Sequence, residues 1–149
     1  MDNENVGAVL EDLIATLEDG YKGFADAAEK LATDGHAELA QELTAYSGER
    51  RQFADELRMA AQKLGHEVKE DGTGAGALHR GWMAIKDALT GDDAHAVLAA
   101  AESGEDHAVA QYEEALASDL PADLREAVAR QAMRVRAAHD AVKALRDQN

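Results

Sequence analysis

Apolar side chains recur at three- and four-residue steps along most of this chain, the signature of amphipathic helices. Val6, Leu10, Leu13, Leu17, Phe24, Ala28 and Leu31 mark a first helix from about Asn5 to Thr33, broken by Asp34-Gly35. Leu39, Leu43, Tyr46, Phe53, Leu57 and Ala60 mark a second, from about His36 to Leu64. Gly65 ends it, because glycine accepts the left-handed conformation past a helix C-terminus. A third helix starts after Asp92-Asp93, which suit an N-cap and a first turn, and reaches about Ser118. Pro121 is placed in the first turn of a fourth, which continues through Leu124, Val128, Val135, Val142 and Leu145.

The linkers set the topology. Two or three residues join helices one to two and three to four, so each pair folds as an antiparallel hairpin. The connection between the hairpins, about residues 65–91, is far longer. Within it, Lys69 to Gly76 reads as a linker, and Ala77 to Leu89 predicts a short amphipathic helix bearing Leu78, Trp82, Ile85 and Leu89. A helix of ~28 residues is ~42 Å long, and this connection can travel back along that length. The expected fold is therefore all-α: one domain over residues 1–149, a ferritin-like four-helix bundle of two hairpins and a crossover. The alternative is an up-down bundle capped by the short helix.

One carboxylate interrupts the apolar pattern. Leu98, Ala101, Glu105, Ala108, Tyr112 and Leu116 form the inner stripe of the third helix, with Glu105 in its middle. Such a position rarely holds a charge unless it is paired, hydrogen-bonded or bound to metal. Counting outward from the turns puts Glu18, Glu49, Glu105 and Gln131 at one height, with Tyr21, Tyr46, Tyr112 and His139 within about a turn. Gly20, Gly48 and Gly104 fall at the same level, inside helices where glycine costs about 1 kcal/mol relative to alanine. Close helix approach is the simpler explanation, and a distorted ligand-bearing turn the sharper one.

Three readings fit such a layer: a di-metal site, a hydrogen-bonded network, and a single divalent ion or a small-molecule pocket. A bundle di-metal site takes one Glu from each of two helices and Glu-x-x-His from each of the others. Here the candidate ligands are Glu18, Glu49, Glu105 and His139, and a nearby tyrosine is the candidate redox partner. Neither Glu-x-x-His motif is intact: Gln52 stands three residues after Glu49, Glu105 follows Glu102, and Arg136 precedes His139. The favoured reading is instead a buried hydrogen-bonded network of Tyr21, Tyr46, Glu49, Arg50, Gln52, Glu102, Glu105, Tyr112 and Gln131, without a cofactor. Di-iron or di-manganese is the alternative.

Composition narrows the function classes. Alanine, leucine and acidic residues dominate, and the formal net charge of −15 disfavours nucleic acids and anionic membranes as partners. No cysteine is present, so disulfides and thiolate chemistry are excluded. The polar N-terminus lacks a signal-peptide core, and no apolar run approaches the roughly 20 residues that span a bilayer; a cytoplasmic protein is expected. No nucleophile elbow, phosphate loop or dinucleotide fingerprint occurs, so the chain leans away from enzymes. A homo-oligomer stays open, and no protein partner is named by the sequence.

From Gly76 to Met83 the chain reads Gly-Ala-Leu-His-Arg-Gly-Trp-Met. Together with Leu17-Glu-Asp-Gly-Tyr21, Glu49-Arg-Arg-x-Phe53, Leu89-Thr-Gly91, Gly104-Glu-Asp106 with Tyr112, and Ala138-His-Asp140, this resembles a bacterial four-helix-bundle family of ferritin-like architecture described only as a domain of unknown function. The resemblance spans nearly the whole chain. It implies the bundle fold and a stress-associated setting, and implies no reaction. Within the Leu-His-Arg-Gly-Trp segment, Trp82 is expected to anchor the crossover on the bundle, with His79 and Arg80 bonding to a helix end or to acidic neighbours. The expected role is that of a non-catalytic structural or interaction protein, and the alternative is a carboxylate-bridged metal-binding protein or oxidase.

Overall fold

The structure, a computed structural model, describes residues 3–66, 91 and 93–149. Among them four helices and no strands are present: α1 (Asn3–Thr33), α2 (Ala37–Lys63), α3 (Ala94–Ala117) and α4 (Ala122–Gln148). The short crossover helix expected over 77–89 lies outside the described residues, as do His79, Arg80 and Trp82.

Local chemistry explains where the helices stop. Gly35 adopts φ +89° and Gly65 φ +80°. At each, the chain reverses through paired backbone bonds. His36 N–H reaches Leu31 C=O and Gly35 N–H reaches Ala32 C=O; His66 N–H and Gly65 N–H reach Ala61 and Gln62 in the same way. These are the two bonds of the Schellman termination, which needs a left-handed residue. The Asp93 side chain caps α3 by accepting from His95 N–H at 3.0 Å. Pro121 is the N-cap of α4, one position before the expected first turn. Arg125 closes the α3–α4 turn by donating to the Leu116 and Ser118 carbonyls, bonds that carry the exposed end of α3 into α4.

Helix directions follow from which residues share a core. One apolar cluster joins the start of α1 (Val6 to Leu17), the end of α2 (Phe53 to Ala61), the end of α3 (Ala108 to Ala115) and the start of α4 (Leu124 to Val135). A second joins the end of α1 (Phe24 to Leu31), the start of α2 (Ala40, Leu43), the start of α3 (Val97 to Ala101) and Val142 of α4. Thus α2 and α3 run parallel to each other and antiparallel to α1 and α4. The end of α2 and the start of α3 therefore lie at opposite ends of the bundle, so the long-crossover topology holds and the up-down alternative fails. Helix α1 packs against both α2 and α3, α3 against α4, and α2 meets α4 most sparsely. Helices α2 and α3 therefore face each other across the bundle's diagonal. Among the described residues, no helix is long and apolar enough to cross a membrane.

Candidate functional site

The two apolar clusters are separated by a polar layer at mid-height. Arg50 lies between the α2 members of the two clusters, and Glu105 between those of α3. Arg50 is 1% exposed and Glu105 fully buried. The guanidinium donates from Nη1 to Glu105 Oε1 and from Nη2 to Oε2, a two-pronged ion pair across the diagonal. Only arginine offers this planar fork to a carboxylate. The guanidinium also lies 5.3 Å from the centre of the Phe24 ring, and Phe24 in turn tilts against Tyr46 at 5.5 Å. Burial works against the Arg50 charge, but Glu105 outweighs it and raises the arginine's affinity for its proton further. Arg50 Nε is buried and has no partner among the described residues. Gly20 faces this group: a Cβ there would sit 3.7 Å from Arg50 Nη1, an ordinary contact.

A second buried network lies toward the start of α4. Tyr112 Oη donates to Gln131 Oε1 at 2.7 Å; Gln131 Nε2 donates to Glu56 Oε1 at 2.7 Å and to the Phe53 carbonyl at 3.4 Å. Burial pushes the Tyr112 hydroxyl well above its ordinary range, so it remains a neutral donor. Glu56 is partly buried, which raises its pKa, yet bonds from Arg130 and Gln131 prevail and hold it below the usual value. Sequence reasoning missed Glu56. Its signal was its position three residues after Phe53, on the flank of the inner stripe.

The four candidate metal ligands do not converge. Glu105 is clamped by Arg50. Glu18, buried on α1, pairs with Arg58; burial still leaves its carboxyl above the usual range. Glu49 turns outward to Arg134, at 2.7 and 3.1 Å. His139 lies at the bundle's rim between Asp106, 2.6 Å from Nε2, and Asp140, 3.1 Å from Nδ1. Three arginines thus take one carboxylate each. Counting from the turns put Gln131 level with Glu105, but Gln131 bonds to Tyr112, two turns further along α3. It is His139 that lies beside Asp106. Nor does height fix which way a side chain leaves its helix.

The wider polar-layer set divides likewise. Arg50, Tyr112 and Gln131 are buried. Gln52 is exposed, because it sits on the outer face of α2, opposite Phe53 and Leu57. Tyr21 and Tyr46 are half-buried. The Tyr21 ring meets the Arg51 guanidinium at 5.9 Å, and its backbone carbonyl accepts from Ser47 Oγ at 2.7 Å. Glu102 pairs with Arg146 at the α3–α4 seam. Gly48 is exposed and faces open space, so close helix approach does not explain it.

No curated protein matches this chain. A family model does match, over residues 5–118, which takes in α1, α2, α3 and the connection between the hairpins. With three of the four described helices covered by that match, the chain belongs to the family described as Domain of unknown function (DUF2383).

Proposed function

We propose that this protein is a non-catalytic helical scaffold that acts through its surface, in the stress-associated setting its family resemblance implies. The observation that supports this reading is the Arg50–Glu105 pair. A carboxylate-bridged di-metal centre needs several unpaired carboxylates around two cations, with imidazoles completing the shell. The mid-bundle donor set is different: one carboxylate with a guanidinium already bound to both of its oxygens. The other two glutamates of the candidate set pair with Arg58 and Arg134, and among the described residues no three carboxylate or imidazole ligands converge on the Arg50–Glu105 pair. These residues do not fit two metal ions at the bundle's centre, and no chemical step is assigned to them.

The test is iron oxidation. Protein stripped of metal is loaded anaerobically with Fe(II), oxygen is admitted, and formation of Fe(III) is followed by absorbance. The expected result is the protein-free rate in wild type and in Glu18→Gln alike. Protein-dependent oxidation that disappears in Glu18→Gln and Glu105→Gln would overturn the scaffold reading in favour of an oxidase.

A further inference from the structure

The α3–α4 seam holds a set of groups with different chemistry from the core pair. Glu102 and Asp106 are four residues apart on α3, so they share one face one turn apart. His139 reaches the same spot from α4. One ligand atom from each of the three lies within 4.8 Å of the other two. The side chains of Glu102 and His139 are 12% and 17% exposed, whereas that of Asp106 is 63% exposed. The cluster is therefore walled on the bundle side and open to water on the other. Asp140 approaches the second ring nitrogen of His139 at 3.1 Å.

We propose that Glu102, Asp106 and His139 form a mononuclear site for a divalent first-row transition metal, with Zn(II) as its best occupant. Imidazole nitrogen with two carboxylate oxygens suits zinc and its neighbours, whereas calcium and magnesium favour all-oxygen shells. Around a tetrahedral zinc with bonds of ~2.0–2.1 Å, ligand atoms sit ~3.3 Å apart. The three side chains thus need to close by only ~1.5 Å from their widest separation. Asp140 completes the arrangement, since a ligating histidine gives its other N–H to a carboxylate that fixes its orientation. On binding, the metal takes the place of the proton between His139 Nε2 and Asp106, and that proton goes to solvent. Water fills the fourth position on the exposed side. Arg146 pairs with Glu102 through Oε2 alone and leaves Oε1 for the ion. Because the ligands come from both helices, occupancy clips α3 to α4.

The site is independent of the core pair, so it stands or falls apart from the scaffold reading. Full-length protein is stripped with chelator and titrated with Zn(II) against a chromophoric zinc chelator, with Mg(II) as the comparison ion. Co(II) substitution gives a second readout, visible d–d bands that report a nitrogen and oxygen shell. The expected result is one Zn(II) per chain and no competition from Mg(II). His139→Ala and Asp106→Asn should each abolish stoichiometric binding, and Asp140→Asn should weaken it by about 10–100-fold. Glu49→Gln, a carboxylate on the α2–α4 surface, should leave it unchanged. Far-UV circular dichroism confirms that each variant folds, and the two ligand variants cover each other if one does not. No stoichiometric zinc, or zinc that binds equally well to His139→Ala and Asp106→Asn, would overturn the proposal.

Discussion

Replacing Glu105 by glutamine removes one charge and almost no volume, and it should be among the most damaging single changes available to this bundle. Arg50 is 1% exposed, and Glu105 accepts from both of its terminal nitrogens. Once Glu105 is neutral, the guanidinium stays charged, because its proton affinity is too high for it to escape by deprotonation. Breaking a buried pair from one side costs about 3–5 kcal/mol. In a domain of this size each kcal/mol moves the melting temperature by roughly 2–4 °C, so Glu105→Gln should melt about 6–20 °C below wild type.

The reverse change, Arg50→Met, leaves a buried carboxylate without its guanidinium and should also cost about 3–5 kcal/mol. Removing both charges with Arg50→Met and Glu105→Leu should return stability to within about 1 kcal/mol of wild type, or exceed it, since hydrophobic replacements of buried ion pairs are often neutral or stabilising. Urea unfolding of wild type, Arg50→Met, Glu105→Leu and the double variant, followed by circular dichroism, closes the double-mutant cycle. Single losses below about 1 kcal/mol, or losses that simply add in the double variant, would refute the picture of a desolvated, mutually dependent pair.

Tyr112→Phe strips the donor from Gln131 Oε1 in a buried site and should cost about 1–3 kcal/mol by urea unfolding. Gly35→Ala forces a side chain into φ +89° and should lower stability by about 1–2 kcal/mol, although nothing within 4 Å obstructs the added carbon. For His139, burial opposes the charge, but bonds to Asp140 and Asp106 prevail and raise its pKa above 6.5. The folded state thus holds this proton more tightly than the unfolded chain, so the contact's contribution is complete below about pH 6.5 and is lost as pH rises through the raised value. With chelator present, the stability gap between wild type and His139→Gln should narrow across that window; a gap independent of pH would sink the assignment.

The helices and their pairing were legible because they rest on local rules. A three- and four-residue apolar period, a Gly at the C-terminal reversals of α1 and α2, and two very short turns leave few ways to fold. Glu105 was legible for the same reason, as a charge on an apolar stripe. Arg50 was harder, since arginine at a stripe's edge usually lies along the surface with its head in water. The Glu49-Arg50 neighbours illustrate the limit. Adjacent positions on a helix differ by about 100° in direction, so Arg50 enters the core while Glu49 meets Arg134 on the outside. Counting gives height along a helix only to within about two turns, as Gln131 shows by meeting Tyr112 and not Glu105; direction around the helix comes from packing. The Glu102–Asp106–His139 grouping depends on the facing of α3 and α4, which no spacing within either helix reveals.

Charge balance explains why this core accepts an arginine where a metal-binding bundle gathers carboxylates. Among the described residues only two carboxylates, Glu18 and Glu105, are buried. Two divalent ions bring four positive charges, and two carboxylates leave half of that charge uncompensated in a poorly solvated space. One guanidinium brings one charge and five donors, which a single bidentate glutamate neutralises. Arg58 does the same for Glu18 from the rim. The layer is thus electrically closed by the chain itself. The seam at His139 is not: Asp106, Asp140 and Glu102 surround one imidazole and one guanidinium, Arg146. Three carboxylates facing two cationic groups leave a net negative site open to water. If a cation is to bind anywhere on the described bundle, its electrostatics favour that rim over the centre.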